Sequence, residues 1–291
     1  MTTVCAVCGG TAFYTWGWQG EYSILKCRAC GLGITSPFPA AVQLEEMNRK
    51  TYEGEQRAAV YSARKKEFKQ RYGGYLARIK RFKPAGALLD AGCNIGVFMN
   101  AARREGFEVT GVEINGSCAA YGRERFGLDI RALSLQAAAF PDGAFDVVTL
   151  FDVLEHVPDP RGFLTEVNRV LKNGGLLLAQ SPNLDSFMAR LMKENWSWLT
   201  PPDHLYHFTP GSLKRILEEQ GFGVRELRTW EPAADFSGNI FSGFPARGLA
   251  GRALRKLLWL SGIVIIPVLQ RIWWKIEKGG LIEVYAVKTK L

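Results

Sequence analysis

Residues 88–96 read LLDAGCNIG, and no other stretch restricts the possible folds so sharply. Two leucines make a short buried strand that ends in an acid, Asp90. The chain then breaks into a loop with glycines at Gly92 and Gly96, and a helix opens at Val97. Glycine lets the backbone turn sharply and lets a ligand approach bare amides. Those amides sit at a helix N-terminus, which favours an anionic or polar ligand. Seventeen residues past Gly96 a second strand, FEVTGVE, ends in Glu113. An acid at that tip is placed to grip the two ribose hydroxyls of a nucleoside. Strands and helices go on alternating along the chain, the pattern of an α/β sheet with helices on both faces.

The loop is neither GxGxxG nor GxxxxGK[ST], so the usual dinucleotide and nucleoside-triphosphate motifs are not the match. Asp90-Ala91-Gly92-Cys93-Asn94-Ile95-Gly96 instead resembles the DxGCxxG loop of class I S-adenosylmethionine (SAM)-dependent methyltransferases. PDGAFDVVTLFDVLEHVPDP resembles that family's fourth strand and the helix after it. FLTEVNRVLKNGGLLLAQSPN resembles the next helix, the GG turn and the fifth strand. The resemblance runs over residues 84–230 and implies a Rossmann-like seven-stranded class I methyltransferase sheet. It also implies the cofactor-binding residues. Asp90, Gly92, Cys93, Asn94 and Gly96 would cradle the methionine part of SAM, and Glu113 would take the ribose. Ile114 would pack on adenine, while Phe151 and Asp152, at the tip of the fourth strand, would face the methionine end. The family often carries an acid before the fourth strand that touches the adenine amine. Here ALSLQAAAFP has none, so a backbone contact from Ser134 or Leu135 is expected in its place.

Four of the six cysteines form Cys5-x-x-Cys8 and Cys27-x-x-Cys30, with eighteen residues between the two pairs. This is the spacing of a zinc ribbon. Four thiolates make a closed tetrahedral site, so the expected Zn2+ is structural; reduced thiols in a small fold without metal are the alternative. AFYTW and YSILKC, rich in aromatic and β-branched residues, read as the ribbon's strands. Cys93 belongs to the glycine loop, and Cys118 reads as helix core. A ribbon in front of a methyltransferase domain resembles sugar C-methyltransferases and enzymes of surface-polysaccharide clusters. It also resembles one kind of ribosomal-RNA methyltransferase, so the ribbon alone does not choose between them.

The chain has 291 residues, 37 basic against 28 acidic side chains and a formal charge of +9. That balance suits an anionic partner without specifying one. The N-terminus reaches Cys5 without a basic and apolar leader, and no apolar run attains the roughly 18 residues that span a bilayer. A cytoplasmic enzyme with reduced cysteines, peripheral on a membrane at most, is the expectation. SPFPA ends the ribbon, and a connector helix from Glu55 to Phe82 follows, kinked at Gly73-Gly74. Tyr61, Phe68, Tyr72, Tyr75, Ile79 and Phe82 recur along one of its faces. From Arg64 to Lys83 there are nine basic residues and one acid, either a solvated face or a surface for phosphates.

The three histidines are His156, His204 and His207. His156, at a helix start, reads as a structural hydrogen-bonding residue. Asp203, His204 and His207 lie in PPDHLYHFTP, where related enzymes close a loop over the acceptor. A histidine there suits removal of a proton from the methyl acceptor, with Asp203 orienting the ring. Trp196 and Trp198, just upstream, read as walls for the acceptor.

FGVRELRTW and LIEVYAVKTK read as the last two strands, and about fifty residues separate them. This insert carries the apolar run 257–269 with Trp259, Trp273 and Trp274. Arg247, Arg252, Arg255, Lys256, Arg271, Lys275 and Lys278 flank it. Such a helical, apolar insert packs on the body or on a dimer face, or lies in a membrane interface, and a cap over a greasy acceptor fits either. The expected organisation is a zinc ribbon over 1–36, a helical connector over 37–83, the SAM-binding core over 84–230, an amphipathic insert over 231–280 and a final strand over 281–291. The leading expectation is methyl transfer to a hydroxyl or carbon of a sugar, lipid-linked saccharide or hydrophobic small molecule, with membrane-surface contact through 246–278. RNA methylation stands second, because SPNL (181–184) lacks the second proline and the aromatic of the base-nitrogen motif. A non-catalytic SAM-binding scaffold is the third reading. Oligomeric state is left open.

Overall fold

The computed structural model describes residues 3–40, 42–44, 46, 54–232, 235–236 and 271–289. The chain divides into two compact units. One comprises Met1–Phe38, Gln180–Arg215 and Glu226–Glu283, and the other Pro39–Ala179, Ile216–Arg225 and Val284–Leu291. These units cut across the segments expected from sequence, because the ribbon residues share a unit with two distant stretches of chain.

In the first unit, β1 (Phe13–Gln19) and β2 (Tyr22–Cys27) form an antiparallel hairpin, and β3 (Gly33–Ser36) adds to β2. A register shift between Thr15 and Gly17 makes Trp16 the extra residue of a bulge. The fourth strand of this sheet is β9 (Tyr206–His207), which pairs antiparallel with β3. Ile24, Leu184, Met188, Met192, Trp196 and Leu199 form the core beneath it. The ribbon therefore has a hydrophobic floor supplied from residues 184–199, which a ribbon of its size could not make alone.

The second unit opens with the connector. It is two helices, α1 (Gly54–Ala63) and α2 (Lys65–Phe82), and the break falls at Arg64 rather than at Gly73-Gly74. Arg64 turns its guanidinium onto Glu67 at 2.6 and 2.9 Å, while both glycines stay inside α2. Tyr72, Tyr75, Leu76 and Ile79 are buried, as the periodicity requires, and Lys65, Lys66 and Lys69 are exposed. Of the nine basic residues from Arg64 to Lys83, Lys65, Lys66, Lys69 and Arg81 are exposed and the other five are half-buried.

Beyond it come β4 (Gly86–Ala91), α3 (Val97–Arg104), β5 (Phe107–Val112), α4 (Gly116–Phe126), β6 (Asp129–Arg131) and β7 (Phe145–Phe151). Then follow α5 (Pro160–Val170), β8 (Leu171–Pro182), α6 (Phe187–Met192), α7 (Pro210–Glu219), β10 (Phe222–Trp230) and β11 (Leu281–Lys288). The large sheet has seven strands in the order β10-β11-β8-β7-β4-β5-β6. Its centre, where β4 pairs with β5 and β7, is parallel. The starting strand β4 thus lies in mid-sheet, so strand order reverses beside it. In such sheets that reversal opens a crevice at the strands' carboxyl ends. Local chemistry sets the helix starts. Asn115 caps α4 by accepting from the Ser117 and Cys118 amides, and Asp159 caps α5 with Pro160 in its first turn.

The insert expected between the last two strands falls mostly on residues 237–270, outside the described residues. Its described end, 271–275, is helical. Among the described residues, no helix is long and apolar enough to cross a membrane.

Candidate active site

In the second unit, the loop from β4 to α3 takes three left-handed residues in five: Gly92 (φ 79°), Asn94 (φ 51°) and Gly96 (φ 77°). The two glycines are also sterically required. A Cβ at Gly92 would lie 2.6 Å from Val153 Cγ2, and one at Gly96 would lie 2.5 Å from Leu128 Cδ1. The amides of Gly92 and Cys93 donate to Val112 O at 2.8 and 3.1 Å, which binds the loop to the end of β5.

Glu113 stands just past β5. Its carboxylate accepts from the Asn94 amide at 2.9 Å and from the Asn115 amide at 2.8 Å. These backbone hydrogen bonds fix the direction of the carboxylate. Burial pushes the Glu113 carboxyl up, and its backbone hydrogen bonds and the Arg57 charge pull the other way. Ile114, beside it, is 55% exposed, an open apolar surface next to the Glu113 carboxylate.

Asp90 is buried, and Thr149 Oγ1 donates to its Oδ1 at 2.7 Å. Burial pushes its carboxyl up to about 7, and the Thr149 bond opposes the rise. Thr149 is a site residue that pattern reading passed over. Its signal was a lone hydroxyl in the apolar strand VVTLF, brought level with Asp90 by the parallel register of β4 and β7. Cys93 is buried, and burial holds its thiol well above the ordinary range. It fills space against Gly111, where a Cβ would come 2.7 Å from its sulfur.

Phe151 packs into an aromatic cluster. It stacks on Tyr75 at 4.9 Å and meets Phe98 edge-on at 4.7 Å. Asp152 has φ 55°, and its carboxylate lies 3.9 Å from Arg71. The connector helices therefore bring Tyr72, Tyr75 and Arg71 to the tip of β7. Leu135 is core at 1% exposure, whereas Ser134 is exposed and Leu133 is 44% exposed. Of the two adenine contacts expected there, only Ser134 is accessible.

In the first unit the four cysteine sulfurs converge. Those of Cys5, Cys8, Cys27 and Cys30 all lie within 4.8 Å of one another. Cys5 to Cys30 is 3.4 Å and Cys8 to Cys27 is 3.5 Å. A tetrahedral ion with sulfurs at about 2.3 Å sets them about 3.8 Å apart, so the cluster fits one. A hydrogen bond from the Cys30 thiol, working against burial, brings Cys5 down to about 5.

The histidine loop lies in this unit too. His207, in β9, is buried at 4%, and its Nε2 is 3.0 Å from Thr35 Oγ1. The Thr35 hydroxyl donates its one hydrogen to His204 O at 2.6 Å, so it accepts from His207, whose Nε2 then carries the proton. That nitrogen cannot act as a base. His204 is half-buried, and its ring centroid is 6.2 Å from that of His207. Asp203 is also half-buried. Trp196, expected as a wall, is core at 1% exposure, and Trp198 is half-buried against it at 5.9 Å.

Comparison with known proteins follows the same line. A family described as a methyltransferase domain matches residues 62–227. A ubiquinone biosynthesis O-methyltransferase of Maricaulis maris is 31% identical over 150 residues, covering 47% of this chain and 59% of the relative. One from Cereibacter sphaeroides is 33% identical over 145 residues, covering 46% and 59%. The chain thus spans 59% of the length of these curated relatives. Among solved structures, a SAM-dependent methyltransferase from Archaeoglobus fulgidus superposes with a TM-score of 0.51 at 22% identity, covering 75% of this chain and 94% of that one. A chain of the complex between the Trm112 methyltransferase activator of Haloferax volcanii and a methyltransferase gives 0.54 at 14%, covering 80% and 96%. These last two likenesses speak to fold.

Proposed function

Because the chain belongs to the methyltransferase domain family, we propose that it transfers the methyl group of SAM to a hydroxyl or carbon of a small acceptor. The single observation that carries this reading is the hydrogen-bonded pair of loop and acid. Glu113 is held by the Asn94 amide beside two left-handed glycines, an arrangement suited to presenting a carboxylate to a ribose. SAM supplies an electrophilic methyl on a sulfonium. The acceptor atom forms its bond to carbon as the carbon–sulfur bond breaks, and the electron pair stays on sulfur. The acceptor's proton leaves to a base. His204 is our assignment for that base, with Asp203 beside it, since His207 is committed to Thr35. Holding the acceptor in line supplies much of the rate in such transfers.

The acceptor class we favour is a sugar, a lipid-linked saccharide or a related hydrophobic molecule. Two observations support it over an RNA base. The Asn183 amide donates to Gly279 O at 2.8 Å and to Glu277 O at 3.2 Å, so it is committed to structure rather than to a base edge. On the first unit, Leu191, Ile272 and Ile276 are 52%, 51% and 58% exposed among Arg190, Lys193, Arg271 and Lys275. Exposed apolar side chains among basic ones suit the surface of an anionic membrane, which favours peripheral docking and a lipid-linked acceptor. The four cysteines bind a structural Zn2+ in this account.

SAM with a labelled methyl, incubated with host extract and then fractionated, tests the reading. Label is expected in the lipid or soluble small-molecule fraction. His204→Gln is expected to lower transfer by roughly 10²-fold at unchanged SAM affinity. Label in RNA would overturn the acceptor class, and SAM binding without transfer to any fraction would favour a scaffold.

A further inference from the structure

We propose that Thr35 is a positioning residue for the histidine loop, and that the cysteine-bound ribbon is the clamp through which it acts. The proposal rests on the reading of residues 203–207 as the acceptor side. All of its parts lie in one compact unit.

β9 is two residues long, and so short a strand is not stable on its own. Its partner β3 begins three residues after Cys30, and the second cysteine turn runs straight into it. The Cys27 amide donates to Leu32 O at 2.8 Å, and the Gly31 amide to Cys27 O at 3.0 Å. Gly33 then lies opposite His207, and Ile34 opposite Tyr206. The approach at Gly33 leaves no room for a side chain, since a Cβ there would sit 2.9 Å from His207 Cβ and 2.7 Å from Leu184 Cδ2.

Thr35 adds three connections to those of the His204 amide with Thr200 O and of Phe208 O with the Leu184 amide. It is fully buried. Its amide donates to Leu205 O at 3.0 Å, its hydroxyl donates to His204 O at 2.6 Å, and the same oxygen lies 3.0 Å from His207 Nε2. One residue thus fixes the backbone at 204 and 205 and the ring at 207. A second tie runs from the residue before Cys27: Lys26 Nζ meets Asp185 Oδ1 at 2.5 Å. Burial alone would push the Asp185 carboxyl up, but Lys26, joined by Arg190, brings it below its ordinary value. The two ties leave the ribbon one residue before Cys27 and five residues after Cys30. An ion holding the four sulfurs therefore also holds the start of β3 and, through Thr35, the loop that carries His204.

The test uses the full-length, zinc-loaded protein and reads amide hydrogen exchange over residues 203–209, with SAM affinity measured beside it. Neither readout needs an identified acceptor. Thr35→Val keeps the shape and removes the hydroxyl. We expect exchange over 203–209 to rise at least tenfold, with SAM affinity changed less than twofold. Thr35→Ser, which keeps the hydroxyl, is expected to restore protection. Removing zinc from the wild-type protein with a chelator should reproduce the exchange pattern of Thr35→Val, and it serves as the test should that variant not fold. Unchanged exchange over 203–209 in either case would overturn the proposal, as would a failure of Thr35→Ser to restore protection. Full methyl transfer by His204→Gln would instead remove the acceptor-side reading and leave the tether standing, so the two failures are distinguishable.

Discussion

At the scale of single residues, the site is built from positions where one side chain, or none, is tolerated. Gly96 combines φ 77° with a contact of 2.5 Å from its Cβ position to Leu128. Gly96→Ala is therefore expected to cost about 2–3 kcal/mol from strain and overpacking together. The melting temperature should fall by roughly 5 °C or more, which calorimetry reads directly. Asp90 gives a prediction with a sign. Its carboxyl ordinarily titrates at 3.8 and in the fold at about 7, mainly through burial. Between those values the folded chain holds a proton that the unfolded chain has lost. The stability from this group is fully present below pH 3.8 and is lost as pH rises through about 7. Asn cannot ionise, so Asp90→Asn should show no such loss. Melting scans without SAM should show the variant gaining on the wild type from pH 4 to pH 8. Asp90, the glycines and Glu113 were legible in the sequence because they lie within one strand–loop–helix–strand run. Thr149 was not, since the bond that makes it matter crosses to a strand 59 residues away.

At the scale of elements, periodicity carried most of the reading. The buried faces of α2 and the strands around the loop follow from where the apolar residues fall. The break in the connector did not follow. A glycine pair is permissive but does not force a kink, and α2 accommodates both glycines while the chain turns at Arg64. What holds α2 in place is aromatic. Tyr75 is 2% exposed and stacks on Phe151 at 4.9 Å. Tyr75→Ala is expected to cost about 3–4 kcal/mol, measured by denaturant unfolding. Protection of α2 amides should fall more than that of β4 or β7. Trp196 shows the opposite limit of pattern reading. Its place in a loop upstream of the histidines suggested a wall for a ligand, yet it is the centre of the first unit's core. A tryptophan in an irregular segment is as easily the anchor of that segment as the lining of a cavity.

At the scale of the whole molecule, the segmentation visible along the chain is not the division in space. The ribbon reads as an independent module because its cysteines are evenly spaced and local. Its fourth strand nevertheless comes from residues 206–207, and its hydrophobic floor comes from 184–199. A hydrogen bond across 169 residues, from Thr35 to His204, leaves no periodic trace in either partner. The family likeness covers residues 62–227, the stretch that holds the glycine loop, Glu113 and the histidine loop. The ribbon lies before that stretch, so it and the methyltransferase domain come from different parts of the sequence. The central claim is that SAM binds at the loop held to Glu113. Titration calorimetry of SAM into the wild-type protein and into Glu113→Ala tests it most directly. The wild type is expected to bind SAM at one site per chain, and a variant that stays folded is expected to bind at least tenfold more weakly. Equal affinity in the two proteins, or no binding to the wild type, would contradict it.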